Sequence, residues 1–319
     1  MKRTLYLTIN LVIILLLIAE ITCSAETLIA INSSITGTEN DTTVSKKYTT
    51  IQEAINQANP GETITIIEGT YIETLTITKP LTLQGEGKEN TILSPTSKKN
   101  GCAIEIKSPD VTLKDLTISN NGPGLYTTAI KITSPRTTIE NCQIQDTPVG
   151  IAIWSSDNMI TNCILTRCSD EGILLIGTSE SECINNRIDS CTFTKNVDGI
   201  EATKTKYTTI SNCVFTENTH DGISFIGNAN TNTENTITQC TITDNSVHGI
   251  YLSGSENHIT SCTFSNNNNG NIALTKESTN NEINLEGSGQ TPVKNTAQPL
   301  RDRFRLFFMF FQRNLLRFQ

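Results

Sequence analysis

The sequence predicts an all-β solenoid: a single parallel β-helix with a short capping helix at its N-terminal end. Three observations predict it. A unit of Cys-x-[Ile/Leu/Phe], a polar turn and then Gly-Ile recurs as NCQIQDTPVGI (141 to 151), NCILTRCSDEGI (162 to 173), SCTFTKNVDGI (190 to 200), NCVFTENTHDGI (212 to 223) and QCTITDNSVHGI (239 to 250), with a decayed copy, SCTFSNNNNGNI (261 to 272). A period of this size marks units that bury their apolar face only by stacking on copies of themselves. Within each unit, short alternations such as Ile200-Glu201-Ala202 and Ile250-Tyr251-Leu252 have the period of strands. Between them lie Asn, Asp, Gly, Ser and Thr, residues that favour turns.

The elements follow in order. Lys2 and Arg3, an apolar run from Leu11 to Ala19 and the small residues Cys23-Ser24-Ala25 read as a secretory signal over 1 to 25. Residues 26 to 47 are rich in Thr, Ser and Asn and read as a flexible lead-in. From Thr50 to Ala58 the apolar residues Ile51, Ala54, Ile55 and Ala58 share one helical face, and Pro60-Gly61 ends the run. A solenoid end must cover its open core, so this helix is the expected N-terminal cap. ETITIIEGTYIETLTITKPLTLQGEGKENTIL (62 to 93) then supplies strand-like pieces at 64 to 67, 71 to 72, 75 to 77 and 81 to 83.

The IQEAI helix followed by GTYIETLTITKPLTLQG resembles the opening of the pectin-lyase-like right-handed β-helix superfamily, and the repeats from 103 to 285 resemble those of its NosD-like and CASH-domain members. The resemblance covers residues 49 to 285 and implies a right-handed parallel β-helix over 48 to 287, with carbohydrate as the ligand class. It does not fix an activity, because one fold hosts many functions. Residues 288 to 298 have a linker's composition, and 299 to 319 (PLRDRFRLFFMFFQRNLLRFQ) form a basic amphipathic segment, read as a cap on the last coil or a membrane-surface contact.

The formal net charge is −8. An acidic chain of this kind argues against nucleic acid as a partner and admits an acidic polysaccharide only through a bridging cation, for which Ca2+ is the candidate; no other cofactor is evident. Of ten cysteines, Cys142, Cys163, Cys191, Cys213, Cys240 and Cys262 occupy one register of the repeat. Stacked about 4.8 Å apart, their Cβ atoms lie beyond the usual disulfide range, so the reading is a ladder of free, buried thiols, with Cys102, Cys168 and Cys183 outside it. No Cys-x-x-Cys pair suggests a metal centre, and Met and His are too few for a copper-delivery role.

Chemistry is sought beside Gly-Ile. The residue before the glycine runs Val149, Glu171, Asp198, Asp221, His248, Asn269 up the stack, which would set acids about 5 Å apart. Asp198, Glu201, Asp221 and His248 are therefore the candidate catalytic residues, since neighbouring carboxyls raise one another's pKa and suit acid-base work. The plainer reading is that an acid before Gly serves only the turn. Trp154 and Tyr251 bracket Glu201 on the next strand, and with Glu171 they are the candidate carbohydrate-binding residues of an outward groove.

Motifs of individual families do not complete themselves. Gln145-Asp146-Thr147 is reminiscent of a pectin methylesterase segment whose companion motif is missing. His248-Gly249 similarly lacks the polygalacturonase acids. A pectate-lyase base would have to be Arg136, Arg167 or Arg187, none of which is beside the acid row. Two functions stay open: an exported or cell-surface protein binding polysaccharide or surface glycan, and a polysaccharide hydrolase, lyase or epimerase.

Overall fold

A computed structural model describes residues 29–32, 45–178, 183–285 and 294–296. The expected signal (1 to 25) and the basic C-terminal segment (299 to 319) lie outside the described residues. Within them the chain winds as a parallel β-helix of three long sheets, with ten, nine and ten strands. A representative coil contributes Arg187–Asp189 to the first sheet, Thr192–Thr194 to the second and Asp198–Thr203 to the third. Each strand pairs in parallel with its counterpart one coil away; Ile151, Ile173, Ile200, Ile223, Ile250 and Ile272 stand in one register of the third sheet.

The helix spans Ile51–Gln57. Thr50 caps it, its hydroxyl accepting from the Glu53 N–H at 3.0 Å, while the Glu53 carboxylate accepts from the Thr49 hydroxyl at 2.8 Å. Glu73 of the first coil accepts from the free Ile51 and Gln52 N–H groups, at 2.8 and 3.0 Å, and so ties the helix to the solenoid. Its apolar face buries Ile51, Ala54 and Ile55 over the open core. The lead-in differs from the expected loose segment: Ile29–Asn32 and Ser45–Tyr48 pair antiparallel.

Inward side chains form stacked rows. Ile144, Leu165, Phe193, Phe215, Ile242 and Phe264 fill the second sheet's side of the core, and Phe193 and Phe215 stack at 4.6 Å. At full burial each aliphatic contributes roughly 1.5 to 3 kcal/mol, which makes these rows the main source of stability.

Two corners explain the repeat's polar signature. Between the first and second sheets, Asn141, Asn162, Ser190, Asn212, Gln239 and Ser261 adopt φ between 50° and 56°, a left-handed conformation that short polar side chains tolerate best. The six ladder cysteines follow them, all buried and free; the nine described cysteines form no disulfide. Each thiol donates weakly to a carbonyl, as Cys191 Sγ does to Asp189 O at 3.2 Å. The corner between the second and third sheets carries a buried asparagine ladder, Asn196, Asn218, Asn245 and Asn267. Asn218 receives the Asn196 backbone N–H on its Oδ1 at 3.1 Å and donates its own Nδ2 to Asn245 Oδ1 at 2.8 Å and to Phe193 O at 3.3 Å.

Candidate functional site

The residues before Gly-Ile lie just past the asparagine ladder, at the start of the third sheet's strands. The glycines between them are required by close approach. A Cβ on Gly199 would stand 2.5 Å from the Gly222 carbonyl oxygen, and one on Gly222 would stand 2.7 Å from that of Gly249. Backbones so tightly stacked press the preceding side chains into one column. Glu171, Asp198 and Asp221 in that column are 2, 1 and 0% exposed, so the acids are buried rather than presented outward.

In the following coils the spacing changes by one residue. Asn196 is two residues before Asp198, but Asn218 is three before Asp221 and Asn245 three before His248. The added residue in the first of these coils is His220, whose N–H donates to Val197 O at 2.8 Å. Its ring turns back over the preceding coil, Nδ1 lying 2.7 Å from Asp198 Oδ1. The same oxygen accepts the Asp221 N–H at 2.9 Å. One coil on, Asp221 Oδ1 accepts the His248 N–H at 2.8 Å and faces His248 Nδ1 at 3.0 Å.

Two carboxylate–imidazole pairs are thus stacked in the same orientation. An ionised carboxylate can only accept, so a neutral ring facing one donates from Nδ1 and keeps its lone pair on Nε2. The rings retain access to solvent, with 15 and 11% of the His220 and His248 side chains exposed. Asp198 and Asp221, expected as acid-base groups in their own right, sit beneath the imidazoles and orient them. This is the arrangement in which a buried acid sets the tautomer of a histidine that exchanges protons with a substrate.

Glu201 is on the Asp198 strand, three residues on, about 10 Å along the chain, and 1% exposed. Tyr251 is fully buried with Ile226 and Ala273, its ring 5.9 Å from that of His248. Trp154 is partly buried against Val149, Ala152, Leu174 and Ile176, with the Lys131 ammonium 5.6 Å from its ring. Register places Tyr251 with Ala152, Leu174, Glu201 and Ser224, four coils from Trp154's strand. The two aromatics are therefore about 19 Å apart along the stack and do not flank Glu201 as one open groove; the burial of Glu201 and Tyr251 corrects that expectation. Arg136 and Arg167 are held by Asp110 and Asp146, each through an Nε contact of 2.6 or 2.7 Å, away from the column.

The residue that sequence reasoning missed is His220. A register that takes only the residue before glycine passes over it, and its signal is the lengthened stretch Asn218-Thr219-His220-Asp221-Gly222 beside Asn196-Val197-Asp198-Gly199. With it, ligand atoms of Asp198, His220 and Asp221 all lie within 4.8 Å of one another, close enough to meet on one cation.

Residues 32–206 and 129–287 match the family described as right handed beta helix region, and the chain belongs to that family. Solved structures share the fold at low identity. The mannuronan C-5 epimerase AlgE6 A-module of Azotobacter vinelandii is 14% identical, with a TM-score of 0.63 over 73% of this chain and 68% of its own. The Dettilon tailspike protein is 15% identical, with a TM-score of 0.60 over 77% of this chain and 54% of its own. The pectate lyase Pel9A is 16% identical, with a TM-score of 0.54 over 78% of this chain and 76% of its own. No curated protein sequence matches this chain.

Proposed function

We propose that this protein acts on a polysaccharide by proton transfer, with the His220 and His248 imidazoles as acid and base and the third sheet as the seat of the sugar chain. The observation that carries this reading is the pair of partly exposed imidazoles, each tied through Nδ1 to a buried carboxylate on successive coils. Imidazoles about 5 Å apart can remove a proton from one face of a sugar ring and return one to it or to a leaving oxygen. That chemistry belongs to elimination and epimerisation of uronate units, the reaction types named for the epimerase and pectate lyase that share the fold. Export, read from residues 1 to 25, would bring the protein to extracellular or cell-surface polymer.

Trp154 would serve an outlying sugar unit, three coils or about 14 Å from the His220 coil. Glu201 and Tyr251 would support the site from beneath. A binding-only reading is favoured by one observation, the burial of Glu171, Glu201 and Tyr251, which leaves the imidazoles as the accessible ionisable groups of the column.

Incubation of the purified protein with a panel of neutral and uronic polysaccharides, with and without Ca2+, separates these readings. Unsaturated ends or a changed epimer ratio with a uronic polymer supports proton transfer. Retention of a polymer without any product supports binding alone, and neither retention nor product across the panel would sink both.

A further inference from the structure

The asparagine ladder pairs its polar atoms coil by coil, but the neighbouring Asp–His column does not. Asp221 Oδ1 is fully engaged by the His248 N–H and ring, whereas Asp221 Oδ2, in a residue with no solvent exposure, has no hydrogen-bond partner among the described residues. A buried carboxylate oxygen left in this way costs about 1 to 3 kcal/mol or more unless something meets it. It points toward His220 Nδ1, 3.4 Å away, and that nitrogen is in turn 2.7 Å from Asp198 Oδ1.

We propose that Asp198, His220 and Asp221 form a site for one divalent first-row transition ion of the Zn2+ type, bound by His220 Nδ1, an Asp198 carboxylate oxygen and Asp221 Oδ2. Three features support it. Ligands about 2.0 to 2.2 Å from a tetrahedral ion are about 3.3 Å from one another, and the separations of 2.7 and 3.4 Å bracket that edge. One imidazole with two carboxylates suits a borderline ion such as Zn2+, Mn2+ or Co2+, whereas Ca2+ and Mg2+ prefer oxygen alone. Two buried carboxylates side by side are better balanced by a divalent charge than by a proton shared with one ring.

Binding needs the lone pair of His220 Nδ1, so the single proton of the neutral ring passes through solvent from Nδ1 to Nε2 and the ion takes its place beside the carboxylates. His248 then becomes an outer partner, its ring fixed by the other oxygen of a ligating carboxylate. Three protein ligands leave a fourth position open on the side of the partly exposed His220 ring, where water or a sugar oxygen can enter. The site is a property of the fold and does not depend on the polysaccharide reading; in the ion-bound form His220 carries its proton on Nε2 and can serve only as the acid, which leaves His248 as the base.

The test is titration of the chelator-treated, reduced full chain with Zn2+, Co2+, Ca2+ and Mg2+ by calorimetry, with the visible spectrum of the Co2+ form as a second readout. One Zn2+ or Co2+ per chain is expected, with a visible Co2+ spectrum of low symmetry and no competition from millimolar-range Ca2+ or Mg2+. His220→Gln and Asp221→Asn should each weaken Zn2+ by more than about 100-fold, beyond the effect usual for outer partners. His258→Gln, an exposed histidine paired with Glu282 at 2.9 Å, should leave affinity unchanged. Thermal melts of each variant show whether it is folded, and His220→Gln, altering a partly exposed ring, is the variant that keeps the test decisive. Substoichiometric Zn2+, preference for Ca2+, unaltered affinity in folded His220→Gln, or an intense near-ultraviolet thiolate band showing capture by cysteine would each overturn the proposal.

Discussion

Two buried polar columns run side by side up this solenoid, and they differ in composition and in completeness. At the corner of the second and third sheets, Asn196, Asn218, Asn245 and Asn267 are identical side chains, each joined to the next through Oδ1 and Nδ2 and to core carbonyls. A few residues on, Glu171, Asp198, Asp221 and His248 are all ionisable, change identity from coil to coil, admit an extra histidine and leave a buried oxygen unmet. The same stacking geometry thus holds a frame in one column and the proposed site in the other. Uniform, fully paired rows lower the free energy of the coil, whereas a mixed and incompletely paired row retains a cost that a ligand can remove.

The cysteine ladder belongs with the frame and gives the largest expected effect. Within the ladder, a hydrogen bond with Cys213 followed by burial pushes the Cys240 thiol up to about 12, and Cys163, Cys191, Cys213 and Cys262 are raised as well; outside it, burial pushes Cys183 up to about 12. The folded protein therefore holds these protons after the unfolded chain, near the ordinary value of 9.0, has released them. Stability is full below pH 9 and falls as pH rises through the range up to the folded values, by up to about 1.4 kcal/mol per pH unit for each thiol. Denaturant melts under reductant should show a steep loss between pH 9 and 10.5. A flat profile there would remove the thiols from the frame.

Next in size is Gly199→Ala, whose new Cβ would meet the Gly222 carbonyl and the Phe215 ring at 2.5 and 2.7 Å. We expect a loss of about 3 kcal/mol, read as a lowered melting temperature. Asn218→Ala should cost about 2 to 3 kcal/mol, because it leaves the Asn196 donors and Asn245 Oδ1 short of partners. Asp198→Asn should cost less than about 1 kcal/mol, since an amide oxygen still accepts the Asp221 N–H, while it changes the tautomer His220 adopts. An equal fall in stability for Asn218→Ala and Asp198→Asn would erase the contrast between the columns. Smallest of all is Trp154→Ala, for which a few-fold loss of polysaccharide affinity is expected from its distant position.

Much of the frame was legible in the sequence because it repeats residue for residue. Cys142 to Cys262, the Gly-Ile pairs and the Ile51, Ala54, Ile55 face each advertise one stacked register or one helical face. The candidate site was legible only in outline. Asp198, Asp221 and His248 share the position before glycine, but His220 is set by a one-residue lengthening of its turn, and the pairing of ring with carboxylate crosses from one coil to the next. Burial of Glu201 and Tyr251 was likewise hidden, since alternation along a strand shows which side a residue faces and not what shields that side. In the sequence the glycines resemble ordinary turn residues, but their carbonyl contacts show that coil-to-coil spacing is what excludes a side chain there.

The division of labour between the columns is tested most directly by measuring melting temperature and uronic-polymer turnover together for His220→Gln and Asn245→Ala. A crossed result is expected. His220→Gln should melt within a few degrees of the parent and lose about 100-fold or more in turnover, while Asn245→Ala should melt well below it and, at temperatures where it is folded, turn over nearly normally. Parent-like turnover in His220→Gln, or a loss of turnover in folded Asn245→Ala equal to that of His220→Gln, would contradict it.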